Sequence, residues 1–186
     1  MANETWDLGT VVLEPAGSLV VQALRAPGAE ALEPWFRVHR ASDDGRFELG
    51  PVEAAGAGWR REALAPGRYV LEVAGNGVAS ANVPFELHAG EERVLEVPLH
   101  PGLRREVHVR TGAEHVTRLH LRVLDADGEL VLEDELWPRL PGEYRSYSSF
   151  EPGLYRVVAE LPDGPHGEAE LRVGPDEPLP LVLELH

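Results

Sequence analysis

Three residue types bear on this chain by their absence. It has no cysteine, so it forms no disulfide, no thiolate metal site and no cysteine nucleophile. It has no lysine either, which removes Schiff-base catalysis, a phosphate-cradling P-loop and any lysine–asparagine isopeptide cross-link. Isoleucine is missing as well, and arginine supplies all 17 basic residues. Arginine in place of lysine, with valine and leucine in place of isoleucine, is the bias of a GC-rich genome and points to a bacterial source. Positive charge is scarce: 32 acidic residues give a net charge of −15. Such a surface repels phosphate backbones and anionic lipid, which argues against nucleic-acid and membrane partners. No apolar run approaches the roughly 18 residues of a membrane span. Residues 1–15 have neither a basic start nor an apolar core, so no signal peptide is expected.

What is present is enough for a packed core and rich in turn formers. Hydrophobic residues make up 43% of the chain, with 16 proline and 19 glycine. An internal repeat organises them. Leu64-Ala-Pro66-Gly67-Arg-Tyr69 recurs as Phe150-Glu-Pro152-Gly153-Leu-Tyr155, an offset of 86. Asp44-Gly45 and Asp127-Gly128 are 83 apart, Gly90 and Gly174 are 84 apart, and Gly17 and Gly102 are 85 apart. The pattern predicts two copies of one unit of about 85 residues, 16–100 and 101–186, joined near His100-Pro101-Gly102. Residues 1–15 then resemble the closing strand of a preceding unit. Val11 and Leu13 match Val97 and Leu99 at an offset of 86.

Each unit reads as β. Apolar residues alternate in Tyr69/Leu71/Val73, Val83/Phe85/Leu87, Leu95/Val97/Leu99 and Leu119/Leu121/Val123, the period of a half-buried strand. Asn76-Gly77, Ala89-Gly90, Asp127-Gly128 and Pro162-Asp163-Gly164 separate the runs. The expected fold is all-β: two tandem immunoglobulin-like or transthyretin-like antiparallel sandwiches, each of about seven strands. Trp59–Ala65 is expected to make at most one helical turn. Pro66-Gly67 and Pro152-Gly153 read as type II turns, with glycine at the position of positive φ. Tyr69 and Tyr155 follow as buried corner residues whose hydroxyls bond backbone.

Asp43-Asp44-Gly45-Arg-Phe47-Glu-Leu49, Leu64-x-Pro66-Gly67-x-Tyr69 and Gly90-Glu91 together resemble the carboxypeptidase regulatory-like repeat. That repeat is a transthyretin-like (prealbumin-like) β-sandwich of secreted and envelope proteins. Both units depart from it by an insertion of about ten residues before the Pro-Gly turn. The second also has Leu130 where the pattern has Phe. The resemblance implies a non-catalytic accessory, adhesive or spacer module of the cell envelope or extracellular space, needing no cofactor. Transthyretin-like hydrolases of hydroxyisourate end in Tyr-Arg-Gly-Ser. Here Tyr144-Arg145-Ser146 is internal and lacks the glycine, so the enzyme branch of that fold is not expected.

Candidate chemistry is thin. His108, His115 and His120 cluster around an expected hairpin between 103–110 and 116–124. Zinc takes imidazole and carboxylate ligands, but Arg104, Arg110, Arg118 and Arg122 oppose a dication, and a solvated charged face is the expectation. Asp125-Ala-Asp127-Gly128 and Asp43-Asp44-Gly45 lack the ligand count of a calcium loop and read as hairpins. Ser146, Ser148 and Ser149 sit in no nucleophile elbow. The remaining candidates are aromatic: Trp59, Trp137, Tyr144 and Tyr147 in the inserted stretches, where exposed rings would contact a polysaccharide or a partner protein. Trp35 is expected in the core. Residues 9–14, through Val11 and Leu13, are expected to fold back as an extra edge strand on the first sandwich, or else to serve as an assembly strand pairing with other domains or with another copy of the chain.

Overall fold

Glycine, proline and aspartate turns cut the chain into fifteen strands among the described residues. The computed structural model describes residues 14–25, 31–42, 45–112, 117–162, 164–177 and 180–185. The strands are β1 (Gly17–Arg25), β2 (Glu33–Ser42), β3 (Gly45–Pro51), β4 (Glu53–Ala55), β5 (Gly58–Leu64), β6 (Gly67–Asn76), β7 (Val78–Leu87) and β8 (Glu92–Leu99). There follow β9 (Leu103–Thr111), β10 (Leu119–Leu124), β11 (Leu130–Leu136), β12 (Glu143–Phe150), β13 (Gly153–Glu160), β14 (His166–Val173) and β15 (Leu181–Leu185). Trp59–Ala65, the one stretch with room for a helical turn, makes none: β5 covers Gly58–Leu64 and pairs antiparallel with β1.

Four sheets result, and they pack as two β-sandwiches. In the first, β4-β5-β1-β8 faces β3-β2-β6-β7; in the second, β12-β9-β15 faces β11-β10-β13-β14. Without β4, the strand order is the same in both. Each sandwich has its own core. Leu19, Val21, Phe36, Val38, Tyr69 and Leu71 anchor the first, and Val109, Leu119, Leu121, Tyr144, Phe150 and Val157 anchor the second. Burying such side chains is worth roughly 1.5–3 kcal/mol each, which is how the sandwiches hold without disulfides.

The sheets are not purely antiparallel. β8 runs parallel to β1, and β15 parallel to β9. The closing strand comes from the opposite sheet over the top of the sandwich, and such a crossover delivers it in the same direction as the opening strand. The expected 103–110/116–124 hairpin does not form either. β9 pairs with β12 and β15, while β10 pairs with β11 and β13. The chain between them changes sheet.

The two Pro-Gly-x-Tyr corners close through the tyrosine rather than the glycine. A type II turn needs φ near +80° at its second central residue. Gly67 has φ of 150°, and Gly153 is not among the positive-φ glycines. Both already belong to the following strand, opposite Leu87 and Val173. The Tyr69 hydroxyl donates to the Ala65 carbonyl, and the Tyr155 hydroxyl donates to the Glu151 carbonyl at 3.0 Å. Each bond reaches four residues back and bridges its own corner. Tyr69 is buried and stacks on Phe85 at 5.3 Å. Tyr155 is only half-buried, 5.2 Å from Phe150, because it sits at the open end of its sheet.

Candidate functional site

The polar chemistry of the described residues gathers where the two sandwiches meet. The outer face of β3-β2-β6-β7 looks toward β11 and β12. The linker runs antiparallel to the start of β7. The Ala79 amide donates to the His100 carbonyl at 2.9 Å, and the Gly102 amide donates to the Gly77 carbonyl at 2.8 Å. Asn82 then reaches across from β7. Its Nδ2 donates to the carbonyls of Leu130 and Val131 at 3.0 and 2.9 Å, and its Oδ1 accepts from Arg46 at 3.2 Å. β11 is an edge strand, and a side-chain amide on its free carbonyls both blunts that edge and fixes the second sandwich to the first. Arg46 completes the tie with an ion pair to Glu133 at 3.1 Å.

Beside this tie lies a cleft of about 450 Å³, walled by Trp35, Arg37 and Glu72 from the first sandwich and by Arg104, Asp134 and Tyr147 from the second. The Arg37 guanidinium lies 4.7 Å from the Trp35 ring, and that of Arg104 lies 5.2 Å from the Tyr147 ring. Glu72 is also held by His39 Nε2 at 2.9 Å.

Burial pushes the Asp134 carboxyl above the ordinary carboxylate range, and Glu72 across the junction adds to the rise. The Ser146 hydroxyl, which donates to Asp134 at 3.3 Å, and the Arg37 charge act the other way. A carboxyl whose pKa is raised on folding adds stability that is full below its unfolded value and is lost as pH rises through the folded one. Above that range the ionised group costs stability. Asp134→Asn is therefore expected to raise the melting temperature at pH 7, with the gain shrinking as pH falls toward about 4. Thermal denaturation of both proteins across that range checks this. A lower melting temperature for the variant at pH 7 would mean that Arg37 and Ser146 outweigh the burial.

The aromatic candidates separate under the same geometry. Tyr144 is 0% exposed, faces Val109 across β12–β9, and donates its hydroxyl to the Thr117 carbonyl at 2.9 Å. It is a core residue and offers no ring to a ligand, which corrects its expected contact role. Trp59 is half-buried and packs edge-on against Phe36 at 4.9 Å. Trp137 is 65% exposed beside Arg118, and Tyr147 is 40% exposed. Trp35 is not in the core but 40% exposed. Phe36 and Val38 take the inward positions of β2, and strict alternation in that short run was the signal that turns Trp35 outward. Asn82 had no such signal, since a polar residue facing away from a core looks like any surface residue. Asp134 did, because it interrupts the inward row of β11 between Leu132 and Leu136 and lies opposite Leu121.

The histidines also part company. His108 bonds Glu106, while His120 lies in the other sheet, 3.2 Å from Glu133. No group of three metal-ligating side chains occurs among the described residues. The Asp125 carboxylate accepts the Asp127 and Glu129 amides at 3.0 and 2.9 Å, and Gly128 takes φ of 83°. Those bonds make the loop a hairpin turn whose first aspartate is already engaged. Asp43, Asp44, His115, Val11 and Leu13 lie outside the described residues.

No protein-family model and no curated protein matches the chain. Among solved structures it is similar to the TIE protein of Bacillus anthracis, at 14% identity and a TM-score of 0.36, over 92% of this chain and 34% of that one. It is also similar to a streptococcal ancillary pilin, at 12% identity and 0.37, over 91% and 62%. A third is the shaft pilin SpaA of Lactobacillus rhamnosus GG, at 9% identity and 0.33, over 93% and 97%. The chain thus spans about a third of the first of these proteins and less than two thirds of the second.

Proposed function

We propose that the chain is a non-catalytic structural and interaction module. In this reading, residues 16–100 and 101–186 are two copies of one carboxypeptidase regulatory-like, transthyretin-like unit, working as a spacer or assembly subunit of a bacterial envelope or extracellular protein. The observation that carries the reading is the tie at the junction. Asn82 on the β11 carbonyls, the Arg46–Glu133 pair and the paired linker make two sandwiches into one body. A spacer that bears load or sets a distance needs that, whereas a flexible tether does not.

Self-association through residues 9–14 is the finer part of the proposal. Val97 and Leu99, the positions that Val11 and Leu13 match, are buried where β8 completes its sheet beside β1. A segment of that form carries one apolar face made for a sheet edge. Another copy of the chain then supplies the edge, a heterologous contact that propagates. Light scattering tests it. The full chain is expected to show a mass above the monomer that grows with concentration, and deletion of residues 1–14 to return it to the monomer. A monomeric full chain, or a deletion that changes neither mass nor stability, overturns the assembly proposal.

Saccharide binding is the second reading, favoured by the exposed rings of Trp137 and Tyr147. Trp59 and Tyr144, packed as they are, add little to it.

A further inference from the structure

We propose that the cleft between the two sandwiches, walled by Trp35, Arg37 and Glu72 on one side and Arg104, Asp134 and Tyr147 on the other, binds a neutral oligosaccharide. The proposal rests on the saccharide reading above but moves the site from the inserted loops to the junction, and it brings in Trp35. Three features of the cleft select the ligand class.

The first is the pair of rings. Trp35 and Tyr147 are each 40% exposed, and they come from opposite sandwiches. Arg37 lies over Trp35, and Arg104 and Arg139 lie 5.2 and 5.9 Å from the Tyr147 ring. The ring surface still exposed is flat and apolar, suits the C–H faces of a sugar, and costs little entropy because the rings are stiff. The second is charge. Arg37 and Arg104 balance Glu72 and Asp134, so the walls are close to neutral in a protein of net charge −15. An anionic ligand would meet two carboxylates locally and the whole acidic surface at range. A purely apolar ligand would strip water from four charged groups and return no hydrogen bonds. Hydroxyl groups satisfy both kinds of wall, accepting from guanidinium and donating to carboxylate. The third is place and size. A second cleft of about 670 Å³ adjoins it through Arg37, Glu72 and Asp134 and reaches Phe47 and His120. Its wall carries Glu48, Glu133 and Glu135 as well, which adds hydroxyl acceptors and further disfavours an anion. Both volumes fall in the roughly 300–1,000 Å³ range of ligand sites, which favour junctions between domains.

The test uses the full chain and isothermal titration calorimetry with cellohexaose, xylohexaose, maltohexaose, mannohexaose and chitohexaose, and with trigalacturonate as the anionic control. At least one neutral hexaose is expected to bind. Trp35→Ala and Tyr147→Ala should each weaken it roughly tenfold or more, the scale of a lost stacking anchor. Trp137→Ala should leave it unchanged. Arg104→Gln, which keeps the side-chain stem, stands in should either aromatic variant fail to fold, and it too should weaken binding. Binding that survives the cleft variants and is lost in Trp137→Ala overturns the cleft but keeps the saccharide reading at the loops. Heat from trigalacturonate alone overturns the neutral class. No binding by any of the six overturns both the cleft and the saccharide reading.

Discussion

Replacing Gly102 with valine is expected to open the junction and to lower stability by roughly 1–3 kcal/mol, the range for overpacking a filled site. A Cβ at Gly102 would lie 2.8 Å from the backbone N and Cα of Ala79 and 2.8 Å from the Ser149 Cβ. Two of those three atoms are backbone of β7, already paired to the linker through the Ala79 amide, so no side-chain rotation relieves the clash. Either the linker leaves β7 or β12 moves away from it. Both outcomes separate the sandwiches while leaving the two cores intact. Urea denaturation measures the cost, and an unchanged midpoint would mean the linker does not pack as described.

The second large effect is expected at Tyr144. Tyr144→Ala removes a fully buried ring from the second core and should cost roughly 3–5 kcal/mol, as for other large aromatic truncations. Tyr144→Phe keeps the ring but removes the donor to the Thr117 carbonyl, which lies in an exposed residue that water can reach, for a loss of roughly 0.5–1.5 kcal/mol. Trp137→Ala, at an exposed position, should stay within about 0.5 kcal/mol. Denaturation of the three variants side by side distinguishes a core tyrosine from a surface one. Near-equal, small losses for Tyr144→Ala and Trp137→Ala would return Tyr144 to the surface.

The β character of the chain was legible because strand alternation and turn chemistry are local. Leu119, Leu121 and Val123 announce an inward face by period alone, and Asp127-Gly128 announces its hairpin. The Tyr69 and Tyr155 hydroxyl bonds were legible for the same reason, since each partner lies four residues back. Sheet assignment was not. Whether the chain leaving β9 turns back as a hairpin or crosses to the other sheet is set by packing between sheets, and no short-range signal near His115 records it. The parallel closing strands escaped for the same cause. The junction was hidden most deeply. Asn82 is one polar residue on the outer face of β7, and only the arrival of β11 against that face gives its amide something to hold. Tyr144 misled because an inserted stretch reads as a loop, whereas this one supplies β12 and part of the second core.

The two sandwiches move as one body if the Asn82 tie and the linker pairing hold in solution. The absence of cysteine lets two be introduced without interference. Arg93→Cys on β8 and Arg172→Cys on β14 place one exposed label on each sandwich. Double electron–electron resonance between nitroxides at these positions should give a single narrow distance distribution, and Gly102→Val in the same background should broaden it. A broad distribution in the parent protein would contradict the account, because it would mean that the Asn82 and linker contacts do not hold the sandwiches together in solution.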